Sequence, residues 1–360
     1  MDHKTLYKRD RWYGAFPVLD DLPDGRLTVG NPVSPFLDHY AVGDWVVQVS
    51  EDEGESWTET DDSTLPQNWP GASTREIYDR FAAVMGDGSW LCAGSVGWEA
   101  WPAGRKADAE ARGLIVRPHP SDEGQVMVGG HRLFVQRSAD KGRTWARQEW
   151  VVPGVGQITA FPRSTRLADG TVLVSPYGTD LQGQRWNYVW RSADGGETWR
   201  LILMSPHVAG VSEMALLEVS PGRVLAHIRN QDDCLLERWS DDGGLTWSHP
   251  LRTPIWGWPP HLLKLRDGCI LCSFGYRRDP MGVRAVLSHD GGKTWDIDNL
   301  ILLRDDGGTP GKLRSGTARS GAGDLGYPIS TQLSDGSILT VYYITLEDGI
   351  THSVATRWEV

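Results

Sequence analysis

The sequence predicts an all-β chain folded as a six-bladed β-propeller of four-stranded antiparallel blades. Three observations carry that prediction. One nine-residue string returns five times, a second hairpin signal occurs six times, and no long helical period is present.

The string is RSADGGETW at Arg191–Trp199, and its copies are VSEDEGESW (Val49–Trp57), RSADKGRTW (Arg137–Trp145), WSDDGGLTW (Trp239–Trp247) and LSHDGGKTW (Leu287–Trp295). All share Ser-x-Asp-x-Gly-x-(Thr/Ser)-Trp, and repetition at about 40–55 residues marks a propeller or a solenoid. The aspartates stand at 52, 140, 194, 242 and 290, so the later spacings of 54, 48 and 48 each fit one blade. The first spacing, 88, is too long for one.

The second signal is two apolar runs joined through a Gly turn: LPDGRLTVG (22–30), MGDGSWLCAG (85–94), LADGTVLVS (167–175), VSPGRVLAHI (219–228), LRDGCILCSF (265–274) and LSDGSILTVYY (333–343). Asp-Gly between alternating runs is a strong hairpin signal, and a tight primed turn is expected there. Only the hairpin at Asp87–Gly88 falls between the first two strings. The long gap is therefore read as an insertion at about Val96–Val128 in blade two of a single domain spanning residues 1–360. A short helix is expected within it at Ala107–Arg112, either capping a pocket or lying in solvent. Blade six has its hairpin and a third strand in His352–Val360, and then the chain stops. An unpaired edge is a liability, so a segment near Thr5–Asp10 is expected to supply the fourth strand.

Composition agrees with this reading and excludes several function classes. The chain is rich in turn formers, with 42 Gly and 21 Pro in 360 residues, and carries a net charge of −11. Binding to nucleic acid needs a basic surface, so no such partner is expected. No stretch approaches 18 apolar residues and MDHKTLYKRD lacks the apolar run of a secretory signal. No membrane association and a cytoplasmic location are the default expectations. Cys269 and Cys272 have C-x-x-C spacing without a second pair or a His cluster. With Cys92 and Cys234 they are expected to stay thiols, mostly buried, and neither metal nor cofactor is expected.

In the repeated string, Gly permits a left-handed backbone, Ser and Asp side chains bond turn amides, and Trp supplies an apolar wedge between blades. Trp199, Trp247 and Trp295 are read as such packing residues. A catalytic group is needed once, so the five copies are structural.

These strings resemble the Asp-box, or BNR, repeats of the sialidase (neuraminidase) superfamily of six-bladed propellers. Blade geometry filters the candidate site residues independently. The hairpin turns and the strings share one edge of each blade, so a pocket belongs at the other edge, reached by first-strand starts, second-strand ends and the loops between strands two and three. Asp38, Glu213, Arg229, Arg277, Arg278, His261, Arg284 and Tyr327 stand at such places. The resemblance implies roles for some of them: Asp38 as acid/base, Tyr327 as nucleophile with Glu213 as its base, and Arg229 and Arg284, with Arg277 as the substitute, as carboxylate binders. Sialic acid carries a carboxylate on its anomeric carbon, and a neutral Tyr approaches it with less repulsion than a carboxylate nucleophile. The departure is at the start of blade one, which reads WYGAFPVL, with Ala15 where the family carries the first arginine of a triad. Arg9, Arg11, Arg75 or Arg80 is the candidate replacement, unless the substrate lacks that carboxylate geometry.

Three functions fit: an exo-acting, sialidase-like glycosidase cutting a terminal acidic sugar; a polysaccharide lyase in which Tyr327 or His261 takes a proton α to a uronate carboxylate; and a non-catalytic glycan binder with Trp98, Trp101, Trp256 and Trp258 as stacking platforms. The partner in each is a glycan or a small sugar.

Overall fold

The structure, a computed structural model, describes residues 1–35, 44–62, 80–119, 122–204, 206, 208, 210–231, 234–308 and 324–360. Six antiparallel sheets follow one another along the chain as the blades of a β-propeller. Blade three is representative, running Val155–Arg166, Val172–Asp180, Arg185–Ser192 and Arg200–Leu203 in sheet order. Blade six is completed from the other end of the chain: Asp2–Tyr7 lies antiparallel to Thr351–Trp358, with Asp2 opposite Arg357 and Thr5 opposite Val354. The closing strand expected near Thr5–Asp10 exists and begins three residues before that range.

By compactness the chain divides into two units, Met1–Asp62 with Val224–Trp239 and Pro250–Val360, and Ser63–Arg223 with Ser240–His249. In the first, strands of blades five and six pack Leu271, Val283, Ile338 and Tyr342 into one core, and blades six and one pack Leu339, Val341, Leu27 and Val29 into another. In the second, Leu91, Leu133, Ile158, Val172 and Trp190 form the core, and Trp150 and Trp199 pack against it. The second unit also holds the residues between the inner strands of blade two. Trp90–Pro102 and Gln125–Ser138 continue outward as one long hairpin carrying the helix Lys106–Ala111, where a short helix was expected. Its inner face is apolar: Ala109 is fully buried with Leu114 and Val128, and Trp101 packs on them. Cys92, Cys234 and Cys272 are buried and Cys269 is half-buried.

The five strings fold alike. In the copy at blade two, Ser138 Oγ donates to Asp140 Oδ1 at 2.8 Å and accepts from Gly142 N at 2.7 Å, while Thr144 donates its amide and its hydroxyl to Asp140 and Trp145 Nε1 donates to Gly142 O. Two successive residues take positive φ, Lys141 and Gly142 here, Gly195 and Gly196 in the next copy. In four copies the second must be glycine for a reason beyond φ. A Cβ on Gly54 would touch Leu339 of blade six, on Gly244 Leu173 of blade three, on Gly292 Leu225 of blade four, and on Gly196 it would overlap Leu91 of blade two. In blades two and three the residue preceding the serine clasps the following blade in turn: Arg137 donates to Gly195 O at 2.7 Å and Arg191 to Gly243 O at 2.9 Å. Such a string is a bracket seated on its neighbour.

The Asp-Gly hairpins differ from the primed turns expected. In all five, the Gly amide donates to the carbonyl three residues back, as Gly170 does to Leu167 at 2.9 Å and Gly25 to Leu22 at 3.0 Å, and only the glycine has positive φ. This is a type I turn followed by a glycine bulge. The physical reason lies in the residues before Gly: Pro23 cannot take positive φ, and the Asp carboxylates accept the amide two residues on, as Asp169 does from Thr171 and Asp335 from Ser337, which holds them in the right-handed turn.

Two outcomes follow. Gly196 and Gly170 have φ of +86° and +89°, but nothing lies within 4 Å of a Cβ at Gly170. Gly170→Ala should therefore lose only the backbone penalty of about 1–3 kcal/mol, and Gly196→Ala clearly more, measured by denaturant unfolding; equal losses would show that the bracket does not press on its neighbour. Second, hydrogen bonds from Ser56, Thr144 and Thr294 hold Asp52, Asp140 and Asp290 at a pKa of about 2, against an ordinary value of 3.8. A depressed carboxylate stabilises above its unfolded value and stops doing so as pH falls through the folded one. The thermal midpoint should accordingly fall between about pH 4 and pH 2, and less steeply when the three aspartates are replaced by asparagine.

Candidate active site

The first unit gathers most of the candidate residues around Tyr327. Gly326 (φ +119°) and Gly275 approach so closely that a Cβ on Gly275 would lie 2.8 Å from the Gly326 Cα. That close approach belongs to the chain entering blade six, where Tyr327 itself is held at φ +53°, a left-handed conformation that costs a tyrosine free energy. Its hydroxyl lies 3.5 Å from Arg229 Nη1, at the end of Arg223–Asn230. Its ring meets Phe16 edge-on, centroids 4.8 Å apart, and lies 5.8 Å from Tyr343.

Beneath it is a polar knot in an apolar floor. Asp324 is buried and accepts from Tyr13 Oη at 2.6 Å and Tyr343 Oη at 3.0 Å. Burial, and then the neighbouring Asp324 charge, push both phenols well above their usual range, and Arg277 offsets this in part. Arg277 Nε donates to Leu325 O at 3.0 Å.

Ala15 is part of that floor. The first strand of blade one is broken between Tyr13–Gly14 and Val18–Asp21, and in the break Ala15 is buried against Tyr13 and Tyr343, beside Phe16 at φ +54°. Of the candidate replacements for the missing arginine, Arg9 stacks on Trp12 with its guanidinium carbon 4.4 Å from the ring centre, and the Arg11 side chain is 86% exposed beside Asp10. Neither belongs to the floor. Arg80 begins the strand Arg80–Val84, but its side chain, like Arg75 and Asp38, lies outside the described residues.

The other candidates are placed as follows. Arg284 stacks on Tyr276, its guanidinium carbon 3.4 Å from the ring centre, and donates to Pro280 O at 3.3 Å. His261 is buried, and its Nδ1 accepts the Ser330 amide at 3.0 Å, which leaves only Nε2 for proton transfer. Glu213 belongs to the second unit, in Val211–Ser220, where it is buried and accepts from Ser212 Oγ at 2.6 Å. The stacking platforms Trp98 and Trp101 have their faces covered by Arg117 and Arg105, at 4.4 and 4.2 Å. Among the described residues, no group of three His, Cys, Asp or Glu side chains is placed to hold a metal ion.

Tyr13, Tyr343 and Phe16 escaped the sequence reading. Tyr13 begins a first strand and Tyr343 lies near the end of a second, so the edge rule that selected Tyr327 and Arg229 reaches them too.

Comparison with known proteins fits this geometry. Residues 113–340 match the BNR repeat-like domain family, and the chain belongs to it. Among solved structures it is similar to a protein of unknown function from Dyadobacter fermentans, at 23% identity and a TM-score of 0.73, over 99% of this chain and 98% of that one. It is also similar to the Hadza microbial sialidase Hz136, at 19% identity and 0.59, over 97% and 66%, and to the intramolecular trans-sialidase of Ruminococcus gnavus, at 14% and 0.62, over 97% and 94%. These likenesses show that the chain shares its fold with these proteins. No curated protein matches the sequence.

Removing the knot tests its place in the site. Asp324→Ala should cost about 1–3 kcal/mol for each phenol left unpaired, read from denaturant unfolding, whereas Tyr13→Phe, which keeps the Tyr343 bond to Asp324, should cost less. A neutral Asp324→Ala would show that the phenols find other acceptors.

Proposed function

We propose that the protein is an exo-acting glycosidase that removes a terminal acidic sugar with Tyr327 as nucleophile. The single observation that supports this best is the strained Tyr327 beside Arg229. Strain of this kind persists where the surroundings over-determine it, and a guanidinium next to a phenol favours the phenolate that attack requires.

On the family pattern the phenol oxygen attacks the anomeric carbon as the glycosidic C–O bond breaks, and Glu213 takes the phenol proton while Asp38 protonates the departing oxygen. Water, deprotonated by Asp38, then releases the sugar from Tyr327 and restores the configuration. Ala15 changes the glycone subsite. An arginine–carboxylate pair contributes about 1.5–3 kcal/mol, so without a replacement ordinary sialosides should react about one to two orders of magnitude less efficiently than in an enzyme with the full triad. With Arg9 and Arg11 turned elsewhere, only Arg75 and Arg80 are left among the candidates.

A panel of aryl glycosides of N-acetylneuraminic acid, a uronic acid and rhamnose tests the reading. Turnover of an acidic glycoside is expected, poor for N-acetylneuraminic acid, with a new reducing end and no ultraviolet-absorbing unsaturated product. Tyr327→Phe and Glu213→Ala should each lower kcat/KM by several kcal/mol, roughly a thousandfold or more, and together little further, since residues acting as one unit are not additive. Full activity in Tyr327→Phe overturns the assignment, and an unsaturated product replaces it with the lyase.

A further inference from the structure

Beside Tyr327 lies a second cluster, centred on Trp256 and Arg278, two residues to which the proposed reaction gives no role. Trp256 ends the last strand of blade four, and its ring meets Trp258 and Tyr276 edge-on, with centroids 4.4 and 5.3 Å away. Arg278 lies over Trp256 with its guanidinium carbon 3.6 Å from the ring centre. The cluster is continuous with the reaction centre, because Arg229, whose Nη1 is 3.5 Å from the Tyr327 hydroxyl, lies over Trp258 at 5.7 Å.

Two features make this more than aromatic packing. Arg277 and Arg278 follow the strand Ile270–Tyr276 and Arg284 lies on the next strand, Gly282–Ser288, and none forms an ion pair among the described residues, although the chain carries a net charge of −11 and its acidic groups outnumber its basic ones. The donors are also in excess: among the described residues, Arg277 Nη2, Arg284 Nε and Trp256 Nε1 are buried without an acceptor. A buried donor left unsatisfied is costly, and these three, one on a blade-four strand and two in blade five, call for an oxygen-rich partner. A guanidinium stacked on a ring spends its face and keeps its in-plane N–H groups, the edge that grips a carboxylate or sulfate in two parallel bonds. Arg278 is exposed, so that edge is open to solvent.

We propose that Arg278 and Trp256, backed by Arg277 and Arg284, form an oxyanion-binding subsite for a second acidic sugar unit of the glycan, next to the unit that reaches Tyr327. The ring of that unit packs along the exposed part of Trp256 while its carboxylate or sulfate takes the Arg278 fork. The proposal rests on the glycosidase reading only for the ligand being a sugar; the oxyanion chemistry is independent of it.

The test uses the full chain carrying Tyr327→Phe, so that nothing is turned over, and follows tryptophan fluorescence and heat of binding. The probes are trigalacturonate, its neutral methyl ester, and a sulfated galactose oligosaccharide without carboxylates. At least one acid should bind roughly ten times or more tighter than the ester, and which one does so identifies the oxyanion. Arg278→Ala should weaken that acid about 10–100-fold and leave the ester unchanged, and Arg278→Lys, which keeps the charge and loses the fork, should fall between. Equal binding of acids and ester, or unchanged binding in Arg278→Ala, overturns the subsite. A fully active Tyr327→Phe with the acid preference intact would overturn the nucleophile and leave the subsite standing; an inactive one without that preference would do the reverse.

Discussion

Everything in this fold leans on the close seating of one glycine per bracket. Gly54, Gly196, Gly244 and Gly292 each bring a positive-φ backbone against a leucine of the preceding blade, where no side chain would fit without displacing it. Ser and Asp close that turn from within, and in blades two and three an arginine one residue before the serine reaches the next bracket. Apart from their tryptophans, which pack on the cores as Trp57 and Trp199 do, the brackets are polar. What they supply is spacing, and spacing sets where strand ends arrive at the other edge of each blade.

The site exploits that spacing. The same device of close-set glycines, Gly275 and Gly326, lets two chain segments nearly touch beside Tyr327. The tyrosine's strain is held in place by a buried carboxyl with two phenols on one side and an aromatic floor on the other. A tyrosine held rigidly at a strand start has the fixed geometry that the nucleophile role proposed for it requires. Ala15 in place of an arginine does more than remove a charge. It allows Tyr13, Phe16 and Tyr343 to close over the position, so the floor there is more apolar than the family pattern implies.

Charge is redistributed accordingly. Among the described residues, Arg277 and Arg278 after one strand and Arg284 on the next form no ion pair, while several arginines elsewhere in the same unit do, such as Arg357 with Asp335 and Arg304 with Asp306. In an acidic protein those three charges focus the local field on one place. It bears on the oxyanion subsite proposed above by an electrostatic route that does not depend on the missing arginine.

The blade count, the five brackets, the existence of the closing strand and the short helix near Ala107–Arg112 were legible in the sequence alone. Each is a local signal: a turn that favours Gly, an Asp that caps it, a β pattern of period two. The edge rule also pointed to Tyr327 and Arg229, since the order of strands in a blade says which end of each reaches which edge. Three things were decided only by tertiary structure. The hairpins became type I turns with a glycine bulge because Pro23 and the Asp side chains exclude the primed geometry. Ala15 became part of an aromatic floor because the strand breaks there and Tyr343, from the far end of the chain, packs into the gap. Arg278, a loop charge in the sequence, lies on Trp256 because two blades meet there, and no pattern within either blade specifies what a side chain will find on its neighbour.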